Sequence, residues 1–231
     1  MMRAAAGLLA FLREAAAPLF SRRLLVPVLL LTILLTASNI VIVRNAPQPG
    51  ATALPPLFIA AAFARVAGLL VLAIGIVRIL AASPRPVWMP DGAFWLSVLA
   101  TILLFAISAL TGAVTGNPTD ALGFVVSDIL FILIVAPFAP WLVALAAEKP
   151  LAWRPGPWLR NPRAWLPQLI FWSLLLVTPL AFVHASIDNA AIRGLGDRFW
   201  PAMLFDGPLS VVVALVGLAL NNAAYRRVAR S

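Results

Sequence analysis

Six apolar runs of about twenty residues or more follow one another along this chain, separated by short polar segments. A helix needs about 20 apolar residues to cross a hydrocarbon layer roughly 30 Å thick. The runs cover approximately residues 24–43, 57–82, 94–116, 121–147, 165–187 and 203–223. They are continuous rather than alternating, which excludes a transmembrane β-barrel. The pattern predicts an all-α, polytopic bundle of six transmembrane helices in which residues 1–231 form a single membrane domain.

The composition excludes a water-soluble globule, since 63% of the residues are hydrophobic and 11% are charged, against about 25% charged in soluble domains. The chain has no cysteine and one histidine, which excludes disulfides, thiolate metal sites and multi-histidine sites. We therefore expect no metal and no cofactor. The net charge of +9 does not indicate nucleic-acid binding, because the chain has no soluble basic domain to carry the contacts.

Basic residues are distributed unequally between the two sets of loops. Thirteen lie on one side: Arg3, Arg13, Arg22, Arg23, Arg78, Arg85, Lys149, Arg154, Arg160, Arg163, Arg226, Arg227 and Arg230. Three lie on the other side, namely Arg44, Arg193 and Arg198, and Arg65 falls inside a span. Because basic loops stay in the cytoplasm, this asymmetry predicts a bacterial-type inner membrane protein with both termini cytoplasmic. Its partners there are the bilayer and its anionic headgroups.

The first twenty residues differ from the six spans. A basic start and the apolar stretch 4–12 resemble a secretory signal, but Arg13 and Glu14 interrupt the stretch early and Pro18 then breaks the helix. We expect an interfacial amphipathic helix on the inner leaflet, retained rather than cleaved. The connection 148–164, rich in Trp, Pro and Arg, is expected to lie along the headgroups as a second interfacial element.

Tryptophan, proline and glycine refine this topology. Six tryptophans lie near the cytoplasmic span ends and are expected to anchor the interface: Trp88, Trp95, Trp141, Trp153, Trp158 and Trp165. Four prolines either interrupt their helices, as in transporters, or serve packing alone: Pro137, Pro140, Pro179 and Pro208. Gly112 and Gly116 form a G-x-x-x-G pattern, which suits internal packing as well as dimerisation.

Two opposite charges lie at similar depth inside the spans. Arg65 is roughly 12 Å and Asp128 roughly 10 Å below the outer surface. Ionisable groups at such depth are rarely unpaired and are candidates for function. The matched depth predicts an Arg65–Asp128 ion pair.

Other polar residues belong to the same outer level. They are Asn39, Ser127, His184, Asp188 and Asp206. With Arg65 and Asp128, the residues His184, Asp188 and Asp206 make up the candidate polar cluster. One interpretation is a cavity for a small solute, ion or lipid headgroup, with Arg65 holding an anion and Asp128 or His184 exchanging protons. The other is a buried ion pair that fixes the register of two spans.

Sequence signatures of enzymes are missing. The chain has no G-x-S-x-G, H-E-x-x-H, P-loop or G-x-G-x-x-G pattern. Asp91-Gly92 begins like a lipid-phosphotransferase motif, but the further aspartates do not follow. We therefore predict no catalytic residues and no enzymatic activity.

Three segments together carry a resemblance. A short amphipathic helix leads through 12–20 into the first span, the fourth span ends in Ala136-Pro137-Phe138-Ala139-Pro140-Trp141, and the last span exits through Ala223-Ala224-Tyr225-Arg226-Arg227. This arrangement resembles six-helix bacterial inner-membrane proteins of the Yip-type and glycerophosphodiesterase-membrane-domain families. The resemblance implies a multipass protein without a transferable active site.

The sequence therefore predicts a non-enzymatic membrane component or accessory subunit, acting with a membrane-protein partner or with a second copy of itself. The alternative is a small-solute or lipid transporter that uses the outer polar cluster. A lipid-modifying enzyme comes third.

Overall fold

The computed structural model describes residues 2–47, 53–115, 121–148 and 150–231. Six helical segments in these ranges are long and apolar enough to cross a membrane, which confirms the all-α, six-span prediction. Two of these segments each consist of two α-helices. Within the described ranges the α-helices are α1 (Met2–Ala16), α2 (Leu25–Arg44), α3 (Pro56–Leu80), α4 (Gly92–Thr115), α5 (Ala121–Val135), α6 (Ala139–Ala147), α7 (Leu166–Trp172), α8 (Thr178–Arg193) and α9 (Phe199–Ala229). The described residues contain no β-strand.

Two of the six spans are interrupted. A 3₁₀ turn at Ala136–Phe138 separates α5 from α6, because the proline rings at 137 and 140 remove backbone donors and clash with the preceding turn. A π-helical turn at Ser173–Val177 separates α7 from α8 and ends two residues before Pro179. By contrast, α9 continues through Pro208. Of the four prolines, three therefore lie in or beside an interruption and one does not.

Helix α9 lies at the centre of the bundle and packs against α1, α2, α3, α6, α7 and α8. Both termini emerge at one end, where Arg226 donates to the backbone oxygen of Leu80 at 2.6 Å and Arg227 pairs with Glu14 at 3.1 Å. We call this the arginine-rich end. The other end of the bundle, at which the helices α2, α4 and α8 terminate, is called the opposite end. Helix α9 continues to Ala229, six residues beyond the predicted limit of its apolar run.

The N-terminal helix α1 docks on the bundle. Phe11 is fully buried and Ala15 nearly so, in a cluster with Leu169 of α7 and Leu220 of α9. The indole of Trp172 also donates to the backbone oxygen of Leu8 at 3.0 Å. The predicted helix is thus present, and its apolar face contacts α7 and α9. Its position at the inner leaflet stays a prediction.

One predicted interface anchor is a core residue instead. Trp165 is 1% exposed and packs beside Phe11, while its indole donates to the backbone oxygen of Arg160 at 3.2 Å. Trp158, in the same connection, stacks on Tyr225 with ring centroids 5.4 Å apart. Interface anchors and core residues both occur at the ends of spans, so the position of a tryptophan in the sequence does not show which of the two it is.

Large apolar side chains cover the outside of the bundle. Phe20, Phe63, Leu99 and Val114 are all more than 60% exposed. Such a surface is unsuited to water and suited to lipid.

Candidate functional site

The candidate site surrounds Asp206, a fully buried carboxylate on α9. One carboxylate oxygen accepts a hydrogen bond from the amide of Asn39 on α2, and the other lies 2.7 Å from Nδ1 of His184 on α8. These residues lie about 8 to 14 Å from the opposite end of the bundle, at 1.5 Å per helical residue. A carboxylate at this depth is tolerated only with such partners.

A close approach of α2 and α9 brings Asn39 to Asp206. A Cβ atom on Gly207 would lie 1.9 Å from Oγ1 of Thr36 and 2.8 Å from its Cα. The second distance involves the backbone of α2, so a side-chain rotation cannot relieve it. Glycine at 207 therefore sets the spacing that the cluster requires. The G-x-x-x-G pattern has no such role at Gly112, where a Cβ would meet only Ser127 Oγ at 3.9 Å, while Gly116 lies outside the described residues.

The hydrogen bonds around His184 define which ring nitrogen carries a proton. The hydroxyl of Ser210 donates to the backbone oxygen of Asp206 at 2.9 Å and also lies 3.2 Å from Nδ1 of His184. Its single proton is used in the first bond, so it accepts in the second. Nδ1 therefore carries the hydrogen that lies between it and the Asp206 carboxylate. Nε2 lies 3.7 Å from a carboxylate oxygen of Asp188, one turn further along α8.

Arg65 joins the cluster through Asn39. Its guanidinium donates to the side-chain oxygen of Asn39, and it is within electrostatic range of Asp188 and Asp206. Asn39 thus accepts from an arginine and donates to a carboxylate, and these two partners fix the orientation of its amide. The cluster ties α2, α3, α8 and α9 together.

Asp188 and His184 are partly exposed members of the cluster. The side chain of Asp188 is 29% exposed and that of His184 is 21% exposed, whereas Asp206 is sealed. One oxygen of Asp188 is buried and has no hydrogen-bond partner. Ligand atoms of His184, Asp188 and Asp206 lie within 4.8 Å of one another, a spacing that allows them to share a cation. Asp206 and Nδ1 of His184 are already bonded to each other, which leaves Nε2 and Asp188 as the free ligands.

The predicted Arg65–Asp128 ion pair is wrong, and Asp128 lies apart from the cluster. Its carboxylate accepts a hydrogen bond from Thr178 of α8, and Arg65 is bonded to Asn39 instead. Helix α3 packs against α2, α4, α6 and α9, whereas α5 packs against α4 and α8. Matched depth along two helices does not make those helices neighbours. Ser127, next to Asp128, contacts Thr111 of α4 at 3.3 Å.

A second polar network lies at the arginine-rich end, and the sequence did not predict it. Arg78 of α3 is fully buried and donates to the backbone oxygens of Ala146, Pro86 and Met89, and at 2.7 Å to Asp91. Arg85 contacts the other carboxylate oxygen of Asp91 at 2.5 Å. The network joins the ends of α3, α4 and α6.

Asp91 also caps α4, because its carboxylate accepts the backbone N–H of Phe94 at 2.9 Å. Burial acts to raise its pKa, but the hydrogen bonds from Phe94, Arg85 and Arg78 and the charge of Arg78 outweigh burial and hold the pKa below its usual range. A signal was present: an aspartate directly before an apolar run is typical of a helix N-cap. Asp91 is thus the N-cap of α4, and the pair Asp91-Gly92 is explained by this role.

Comparison with protein families, with curated proteins and with solved structures gives no match for this chain. The resemblance to Yip-type and glycerophosphodiesterase-membrane-domain proteins therefore stays a prediction.

Proposed function

We propose that this chain is a non-enzymatic, proton-coupled carrier of a small solute in a bacterial-type inner membrane, with both termini in the cytoplasm. The arginine asymmetry supports the location and orientation. Of the functions that the sequence left open, the geometry of the polar cluster favours the transporter over the accessory component. The observation that carries the proposal is the charge balance around Asp206.

Two carboxylates, Asp188 and Asp206, face one guanidinium, that of Arg65. With a neutral His184 the cluster holds one uncompensated negative charge, and such a charge is costly inside a membrane. One proton on Nε2 of His184 removes it. A divalent cation would instead leave an excess positive charge beside Arg65, so a proton fits the charge count better.

The partial exposure of the cluster supplies an exchange route. Asp188 and His184 are partly exposed, so a proton reaches Nε2 without unsealing Asp206. Asp206 is bonded to Asn39 of α2 and to His184 of α8. Protonation strengthens the bonds of α8 to α9 and deprotonation weakens them, which couples the proton to the packing of α8.

A transport assay tests this proposal. Purified protein reconstituted in liposomes on a solid-supported membrane is challenged with pools of amino acids, sugars, nucleosides and organic acids. We expect at least one pool to evoke a current that depends on the pH gradient and is lost in His184→Gln. Ser186→Ala is the matched control, because Ser186 is exposed on the same helix and bonds only to the backbone oxygen of Phe182.

The accessory-component alternative is favoured by one observation, the joining of four helices by the cluster, and it gives a different result. If the cluster is purely structural, His184→Gln lowers the unfolding midpoint in detergent and no solute pool evokes a current in the wild type. A pH-independent current would also contradict proton coupling.

The single histidine of the chain allows a direct check of the proton position. ¹⁵N-histidine labelling reports on His184 alone in protein purified without a histidine tag. We expect Nδ1 to carry a proton, as its contacts with Asp206 and Ser210 indicate. A deprotonated Nδ1 in the folded protein would contradict the assignment.

A further inference from the structure

An apolar groove lies between α4 and the α5–α6 span, on the outside of the bundle. It encloses about 750 Å³ and is lined almost entirely by aliphatic and aromatic side chains, including Leu99 and Leu103 on one wall and Phe138 and Leu142 on the other. Phe138 belongs to the 3₁₀ turn that interrupts the span. This groove is distinct from the polar cluster, which lies between α2, α3, α8 and α9.

The length of the groove matches one leaflet. On α4 its lining extends from Leu96 to Ile107, which is about 16 Å along the helix axis. Half of a hydrocarbon core of about 30 Å is about 15 Å. A transmembrane helix of a partner would follow α4 along its whole length, whereas the acyl chain of a lipid in one leaflet fits this extent.

A cationic group is held at the mouth of the groove. Trp153 lines the groove at the arginine-rich end, and the guanidinium of Arg154 lies over its ring at 4.5 Å. The indole of Trp141 donates to the backbone oxygen of Ala152 at 2.9 Å and so fixes this part of the connection on α6. Arg154 is exposed and forms no ion pair with any acidic residue that the structure describes.

We propose that this groove is a binding site for an anionic phospholipid, with an acyl chain between α4 and α5–α6 and the phosphate on Arg154. The apolar groove has the length of one leaflet and therefore complements an acyl chain. The guanidinium of Arg154 at its polar end complements the phosphate. The charge selects an anionic headgroup, and the groove orders the chain through van der Waals contact. This proposal does not depend on proton coupling.

Native mass spectrometry tests the site. The protein is exchanged into mixed micelles of equal amounts of phosphatidylglycerol and phosphatidylcholine with identical acyl chains. We expect phosphatidylglycerol adducts to predominate and to fall about fivefold in Arg154→Gln, the effect of removing one interfacial cation. Arg163→Gln, which removes the same charge from an exposed position elsewhere in the connection, is the matched control and is expected to retain them.

Filling the groove tests the acyl-chain contact separately. Ala100 and Leu142 line opposite walls, and we expect Ala100→Phe and Leu142→Trp each to abolish retention of both lipids, with an unchanged unfolding midpoint showing that the fold is intact. Having two variants keeps the test valid if one fails to fold. Unchanged retention in the filled groove, or equal losses in Arg154→Gln and Arg163→Gln, would overturn the proposal. So would a protein partner or dimer that the filling variants displace while lipid retention persists.

Discussion

Asp91 accepts a hydrogen bond at 2.7 Å from Arg78, an arginine with no solvent-exposed side-chain surface. The aspartate lies thirteen residues further along the chain, before the first turn of α4. The buried guanidinium therefore fixes the start of one span against the end of the preceding one. Because Arg78 also donates to the backbone oxygen of Ala146 at 3.0 Å, the same group positions α6.

Removal of the Asp91 carboxylate is expected to destabilise the fold. Asp91→Ala leaves Arg78 buried without its counter-charge and removes the cap of α4, so we expect a loss of about 3 kcal/mol in the free energy of unfolding. Unfolding in mixed detergent micelles measures this. Glu14→Ala is the control: its ion pair with Arg227 is partly exposed and is worth no more than about 1 kcal/mol. Equal losses in the two variants would contradict the assignment.

The stability supplied by Asp91 is expected to depend on pH. Its pKa is lower in the folded protein than its ordinary value, so its contribution is complete above about pH 4 and is lost as the pH falls through the folded value. The difference in unfolding free energy between wild type and Asp91→Asn should therefore be constant near neutral pH and shrink below about pH 4. If this difference in unfolding free energy instead grew as the pH fell, folding would raise the pKa of Asp91 and not lower it.

A methyl group at position 207 is expected to separate α2 from α9. Gly207→Ala places a Cβ against the backbone of Thr36, and such overpacking costs about 3 kcal/mol. It also pulls Asn39 away from Asp206. Gly217→Ala is the matched control on the same helix, because a Cβ there meets nothing within 4 Å. Thermal unfolding in detergent separates the two, and similar midpoints would refute the close approach.

Double-mutant cycles distinguish the observed pairing from the one expected from depth alone. We expect Arg65→Gln and Asp128→Asn to be additive within about 0.5 kcal/mol, because the two side chains have different partners. Asn39→Ala and Asp206→Asn share a hydrogen bond and should be coupled by about 1 kcal/mol or more. Coupling in the first cycle and additivity in the second would support the Arg65–Asp128 ion pair instead.

The proposed orientation predicts a labelling pattern. The chain has no cysteine, so single-cysteine variants give an unambiguous signal. A membrane-impermeant maleimide is expected to label Arg193→Cys in intact cells, and Arg163→Cys only after permeabilisation. Both positions are exposed. The reverse pattern would place both termini outside the cell and contradict the proposed orientation.

The six spans were predictable from the sequence because insertion into a membrane depends on local quantities. Whether a segment can span the membrane depends only on its own length and hydropathy, and the structure confirms all six predicted segments. Proline removes a backbone donor wherever it lies, yet interruptions occur near Pro137, Pro140 and Pro179 and not at Pro208. The sequence therefore indicated where interruptions could occur and not which prolines make them.

Which helices are neighbours was decided by the tertiary structure. Four of the five residues in the predicted cluster lie close together: Arg65, His184, Asp188 and Asp206. Asp128 does not join them, because the depth of a residue along its helix gives no information on the rotation or placement of that helix.

Asn39, named from the sequence only as a neighbour, forms the bridge between Arg65 and Asp206. The bridge formed by Asn39 depends on the close contact of Gly207 with Thr36. This contact joins two helices that are far apart in the sequence, so the length and hydropathy of the spans do not predict it.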